Sequence, residues 1–163
     1  MNRDTFRLEQ ATERDVPTIL RFIKELAEYE KLSHQVVATE DGLRQCFFGP
    51  RPAAEAVLAY AGDEPVGFAI YFQTFSTFLG QPGIYLEDLY VTPACRGRGL
   101  GRRLMAHVAR VAVERGYGRM EWSVLDWNEL ALSVYRKLGA TPMAEWTVQR
   151  LTGPALRDLA SSV

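Results

Sequence analysis

A chain of 163 residues, 47% apolar and 24% charged, has the composition of a folded globular protein and can bury one core without disulfide or metal staples. Its formal net charge of −1 offers no global field to nucleic acid or an anionic membrane, so any anion site must be local. Two cysteines (Cys46, Cys95) and two histidines (His34, His107) form neither a disulfide framework nor a zinc-spaced cluster, and no stretch is apolar enough to span a bilayer. One domain over residues 1–163, cytoplasmic and without a metal, is the expectation.

Phe6 to Glu9 alternates and predicts a short strand. Thr12, with Asp15 at the capping-box position and Pro17 in the first turn, opens a helix running to about Glu30. Its core stripe is Val16, Ile19, Leu20, Ile23, Leu26 and Ala27, with Arg21 and Glu25 paired on the wet side. Thr39 caps a short helix that Gly49 and Pro50 stop. Ala56 to Ala61 and Val66 to Phe75 read as a hairpin, followed by a loop from Ser76 to Gly83 and a strand from Ile84 to Val91. An amphipathic helix then carries Leu100, Leu104, Val108, Val111 and Ala112 to Gly116. Met120 to Leu125 is the next strand, and Asn128 caps a helix that Gly139 ends. Trp146 to Leu151 reads as a last strand, with a short helix opening at Gly153-Pro154. Hairpins in the middle and one β-α-β crossover predict a mixed α/β fold whose central sheet is largely antiparallel.

The stretch from Ile84 to Met105 carries the chemistry. It sets Glu87 and Asp88 inside an apolar strand, then places Gly97, Gly99 and Gly101 at alternate positions before a helix. A strand, a glycine turn and a helix N-terminus bind phosphate, because free N–H groups and the helix dipole converge there. The Walker loop fails for want of Lys-Ser/Thr, and the dinucleotide fingerprint fails because its third glycine would fall at Arg102. A bare tight turn needs one glycine, not three. Four arginines nearby (Arg96, Arg98, Arg102, Arg103), with no interleaved aromatics, do not make a nucleic-acid patch.

The remaining pattern, Arg96-x-x-Gly99-x-Gly101, resembles the acetyl-coenzyme-A loop of the GNAT superfamily of N-acetyltransferases. The segments K-E-L-A-E-Y-E-K-L-S-H-Q-V, G-F-A-I-Y-F, I-Y-L-E-D-L-Y-V, R-G-R-G-L-G and V-L-D-W-N-E resemble its diamine (spermidine/spermine) acetyltransferase family, nearest to the thialysine-preferring second branch. The resemblance implies a GNAT fold with a β-α-β acetyl-CoA core, a homodimer with the C-terminal strand near its interface, and direct acetyl transfer to a primary amine of a small cationic molecule. It implies cofactor contacts from Leu89, Tyr90 and Val91, from Arg96, Gly97, Arg98, Gly99, Leu100, Gly101 and Arg102, and from Asn128.

An alkylammonium with a pKa of about 10.4 has no lone pair at neutral pH, so the reaction needs a proton acceptor. Glu87 is the candidate, directly or through a water. Asp88 points to the opposite face of the same strand, so only one of the two can face a given cleft. The resemblance implies that the first carboxylate reaches the amine, both residues counting among the substrate-binding candidates. Tyr135, seven residues after Asn128 on one helix, is implied as the acid, its alternative being a core aromatic. Tyr29 with Glu30 and Glu145 with Trp146 match positions lining the family's amine channel, and carboxylates beside aromatic faces suit a cation. Ser76-Thr77-Phe78 lacks the aspartate of polyamine-preferring relatives, which favours a shorter amine or amino acid. Transfer to protein lysine or N-terminal amines, and a non-catalytic acyl-CoA-binding module, are the competing readings.

Overall fold

The strands β1 (Phe6–Gln10), β2 (Glu55–Ala61), β3 (Glu64–Ser76) and β4 (Gln81–Val91) pair in chain order as an antiparallel meander, and β5 (Met120–Trp122) joins β4 in parallel. The computed structural model describes residues 5–162, which form two compact units, 5–123 and 124–162. The sheet lies in the first. Two residues, Gly62 and Asp63, join β2 to β3, and Gly62 takes the positive φ of 64° that such a turn demands. The parallel β4–β5 pair needs a crossover, which helix α3 (Leu100–Glu114) supplies.

Both faces of the sheet are covered, so β2 and β3 read as continuous apolar runs. Helices α1 (Val16–Tyr29) and α2 (Glu40–Phe48) lie over one face, where Ile19, Phe22 and Phe47 pack with Ala56, Leu58, Phe68, Ile70 and Tyr90. The Phe22 ring stands 5.6 Å from Phe68 and 5.7 Å from Tyr90. The alternate residues of β2 and β3 face the other way, and α3 buries Leu100, Leu104, Met105, Val108 and Ala112 against the sheet.

Local signals hold closely. The Thr12 N–H donates to Asp15 Oδ2 at 2.7 Å and opens a 3-10 turn that runs into α1. Thr39 Oγ1 accepts from the Gly42 N–H at 3.2 Å, and Arg21 reaches Glu25 at 3.5 Å. Within α1 the helical stripe is centred one position away from expectation. Phe22 is fully buried, while Leu20, Ile23 and Leu26 are half-buried.

Three expectations change. The loop from Ser76 to Gly83 contracts to residues 77–80, because Ser76 pairs with Gln81 and Gly80 turns the chain at φ 62°. The strand expected over Met120 to Leu125 ends at Trp122, since only Ile84 to Leu86 offer it a ladder. Trp146 to Leu151 forms no strand. Alternation says which side chains would share a face, but a strand also needs a partner edge, and this segment pairs with none among the described residues.

The second unit holds α4 (Glu129–Lys137) and α5 (Gly153–Ala160), and neither helix contains a buried residue. A body of this size cannot enclose a core of its own.

At Gly67, opposite Val91, an added Cβ would stand 2.7 Å from the Tyr90 carbonyl oxygen. Gly67→Ala should therefore lower stability by about 1–3 kcal/mol in urea unfolding, the usual cost of overpacking.

Candidate active site

The ladder between β3 and β4 slips by one residue in the middle of the acidic pair. Ile70 stands opposite Asp88 but Tyr71 stands opposite Leu86, which leaves Glu87 as the extra residue of a β-bulge. The slip changes which faces the strand presents. Leu86 shares the α3 face with Tyr71, whereas Asp88 shares the α1 face with Ile70, Phe68 and Tyr90. Without the bulge, Leu86 and Asp88 would lie on one face and Tyr90 with them.

Asp88 is thereby half-buried on the side where α1 ends. Burial, then the charges of Glu87 and Glu30, push its carboxyl up from 3.8 to about 6. Glu30, the C-cap of α1, is also raised by burial. Glu87 is exposed at the bulge. The helix end that carries Tyr29 and Glu30 is closed by paired bonds, Leu32 N–H to the Ala27 oxygen at 2.7 Å and Lys31 N–H to the Glu28 oxygen at 3.0 Å. Lys31 adopts φ 61° at the position where glycine is usual, a left-handed conformation that costs a lysine about 1–2 kcal/mol.

Beyond Leu86, β4 has no partner on its β5 side. The Thr92 N–H donates to the Val66 oxygen at 2.9 Å, so the strand's period directs the N–H groups of Leu89 and Val91 away from β3, to the side where β5 pairs only with Ile84 to Leu86. Tyr90 goes the other way. Its side chain is in the core and its backbone faces β3, so the cofactor contact expected at Tyr90 has no exposed side chain to make it.

At the turn, Gly97 and Gly99 have φ of 74° and 77°, conformations only glycine adopts without strain. Gly101 has a different reason. A Cβ there would meet only Leu89 Cδ2, at an ordinary 3.7 Å, so the protein interior does not exclude a side chain. Glycine instead keeps the space outside the first turn of α3 clear. Thr39 and Asn128 cap the N-termini of α2 and α4, but no side chain caps α3, whose first N–H groups remain for a ligand.

The arginines around the turn divide. Arg96 Nε donates to the Val91 oxygen at 2.9 Å, and Arg103 donates to the Phe6 oxygen at 2.8 Å. Arg98 stacks over the Phe6 ring at 4.9 Å. Arg102 is exposed, and among the described residues no hydrogen bond or ion pair holds it. All four keep their charge, and Arg102 is the one that, among the described residues, no such contact orients. The arginine count could not reveal this, because Phe6, which meets Arg98 and Arg103, lies on a distant strand.

In the second unit, Asn128 Oδ1 accepts from the Ala131 N–H at 3.2 Å, so this side chain serves as helix cap. Tyr135 is half-buried on the same helix, beside Val134 and Leu138, which are each 39% exposed rather than core. Glu145 and Trp146 are exposed on a segment without regular structure. Sequence reading missed Glu25, whose charge acts on the Tyr90 hydroxyl against that of Arg96. It looked like a solvated helix residue paired with Arg21, and only the fold brings Tyr90 to it. Among the described residues, no group of three His, Cys, Asp or Glu side chains could hold a metal ion, and no helix is long and apolar enough to cross a membrane.

The Acetyltransferase (GNAT) family profile matches residues 19–140. The thialysine N-epsilon-acetyltransferase of Bos taurus is 42% identical over 164 residues, covering 94% of this chain and 96% of that one. L-ornithine N5-acetyltransferase NATA1 of Arabidopsis thaliana is 31% identical over 94% of this chain and 87% of its own. Among solved structures, an integron cassette protein from the mobile metagenome of V. cholerae superposes with a TM-score of 0.80 at 25% identity, covering 96% of this chain and 98% of that one. A family match that runs through the bulged strand and the glycine turn, with relatives of this identity along nearly the whole chain, makes the protein a member of the GNAT family of acetyl-CoA-dependent acetyltransferases.

Proposed function

We propose that the enzyme acetylates a terminal primary amine of a small cationic amino acid or short amine, with thialysine the first substrate to try. The observation that carries this reading is the half-buried carboxylate beside the bulge, Asp88, on which the charges of Glu87 and Glu30 act. A half-buried carboxylate with two further negative charges acting on it suits an alkylammonium. The 42% identical relative named for thialysine supports the choice. Residues 1–163 are read as one acetyltransferase domain, because the family match crosses the division between residues 123 and 124. A cytoplasmic location and a homodimer also belong to this reading. The exposed Trp146, Val148 and Leu151 support a partner subunit, which sedimentation equilibrium tests.

The turn fits acetyl-CoA. Gly101 keeps open a cradle that a Cβ would fill, and the uncapped N–H groups of α3, with Arg102, would hold the pyrophosphate. Acetyl-CoA supplies, when bound, an acyl group activated as a thioester. The N–H groups of Leu89 and Val91, on β4 beyond its ladder with β5, would hold and polarise the acyl carbonyl. Asp88 accepts the proton that makes the amine nucleophilic. A carboxylate with a pKa near 6 is mostly ionised at pH 7 yet more basic than an ordinary aspartate, which suits a general base. Glu87, exposed beside it, passes that proton on to solvent. Tyr135 carries a proton at its hydroxyl for the departing group, and Asn128, Glu145 and Trp146 keep the roles that the resemblance implies.

Steady-state kinetics over thialysine, lysine, short diamines, spermidine and a lysine peptide test the function, with thialysine expected to give the highest kcat/KM. A peptide that outcompetes it would shift the reading to protein substrates.

For the wild type, kcat/KM should fall below about pH 6 as Asp88 takes up a proton. That acid limb should survive in Glu87→Gln and vanish, with most of the activity, in Asp88→Asn. The same Asp88→Asn variant should be more stable at pH 7. The folded carboxyl titrates at about 6 against 3.8 unfolded, so the native state binds more protons and loses stability as pH rises between those values. Removing the charge should recover up to about 3 kcal/mol, at about 1.4 kcal/mol per pKa unit, read from urea unfolding at pH 7.

Tyr135→Phe should lower kcat by about 100-fold with little change in the KM for acetyl-CoA. Equal turnover would remove Tyr135 as the acid.

A further inference from the structure

The arginine that opens the glycine turn is the residue of that turn most firmly held by the protein. Its Nε donates to the Val91 oxygen at 2.9 Å. Its guanidinium carbon stands 4.8 Å from the centre of the Tyr29 ring and 5.6 Å from that of Tyr90. Burial, then Glu25 of α1, raise the Tyr90 hydroxyl pKa, and Arg96 opposes them. One planar cation thus touches the last residue of β4, the core tyrosine beside Asp88, and the final residue of α1. A guanidinium engaged through its Nε and laid over two rings has its orientation set by them, whereas a phosphate clamp presents its fork outward.

Tyr29 matters because of its neighbour. Glu30 follows it, and Glu30 is one of the charges acting on Asp88. The paired bonds closing α1, with the strained Lys31 among them, leave Tyr29 and Glu30 little freedom to move apart. Whatever shifts Tyr29 therefore shifts Glu30.

We propose that Arg96 is a positioning residue that ties the cofactor turn to the acidic end of α1, so that binding at the turn and binding of the amine are coupled through the Arg96–Tyr29 contact. This rests on the reading of Glu30 and Asp88 as the amine site. Gly97, Gly99 and Gly101 give the turn from which Arg96 bears on Tyr29 no side chains of their own to fix its backbone. With the pyrophosphate on the first turn of α3, the turn is ordered, Arg96 is fixed over Tyr29, and Glu30 is held in place for the ammonium. Linkage makes the effect reciprocal, so the amine tightens the cofactor by the same factor.

Calorimetric titrations with CoA and with thialysine test this without turnover. Thialysine should bind the enzyme–CoA complex about 5-fold or more tightly than the free enzyme, within the usual range of coupling between sites. Arg96→Met and Tyr29→Leu should each abolish that enhancement, and the double variant should lose nothing further. Arg96→Lys keeps the charge but has neither the Nε–H nor the flat cation, and it should not restore the coupling. Tyr29→Leu lies outside the turn, so the test stands even if Arg96→Met folds poorly. An Arg96→Met enzyme that loses CoA affinity yet keeps the enhancement, or a Tyr29→Leu enzyme that keeps it, would overturn the proposal. Wild-type turnover of thialysine separates the two failures. Turnover with the coupling intact in the variants sinks only the role of Arg96, and a wild type that acetylates none of the amines sinks the amine site together with it.

Discussion

One extra residue in β4 is the constraint on which the site depends. The β3–β4 ladder buries both faces of a sheet, so its register cannot drift without exposing a whole row of apolar side chains. Inserting Glu87 between Leu86 and Asp88 lets the first part of β4 serve the α3 face and reverses the phase for the rest. Asp88 is then carried onto the face covered by α1, where solvent is scarce and Glu30 is near, while Leu89 and Val91 are turned to the side of α3. On a regular strand Asp88 would have shared the face of Leu86. The bulge converts it into a carboxylate that keeps its proton until about pH 6, and the cost of ionising it is borne by the stability of the sheet around it.

The same strand ends where the cofactor turn begins, and the two halves of the site share it. β5 covers only Ile84 to Leu86, which leaves the later N–H groups of β4 without a ladder partner on that side. The turn that follows uses its glycines for two different reasons, backbone conformation at Gly97 and Gly99 and cleared space at Gly101. Its arginines are divided too. Arg96 and Arg103 hold carbonyl oxygens of β4 and β1, Arg98 covers Phe6, and Arg102 is left exposed. Charge near a phosphate site is thus partly architecture, fastening the turn to the strands it must sit beside.

Much of the fold was legible because its signals are local. Thr12 with Asp15, Thr39 with Gly42, and Asn128 with Ala131 make the expected caps, since a cap depends on residues within four of each other. The antiparallel centre and the single crossover followed from turn residues and from the period of apolar positions. Where pairing decided the outcome, local reading failed. Trp146 to Leu151 alternates as a strand should but has no ladder among the described residues, and the loop from Ser76 to Gly83 is largely strand because its two sides find each other.

The amino-acid sequence by itself determined the cofactor class and the family. Three alternating glycines after a strand have few other uses, and the motifs around Glu87 and Tyr135 narrow the family. What only the tertiary structure decided is which of two adjacent carboxylates is half-buried beside the end of α1 and which stands exposed at the bulge. Strict alternation put Glu87 and Asp88 on opposite faces and could not say which face was dry. The register slip opposite Ile70 and Tyr71, the end of α1 and the burial of Asp88 are long-range facts, and a carboxylate's basicity is set by what surrounds it rather than by its neighbours in the chain.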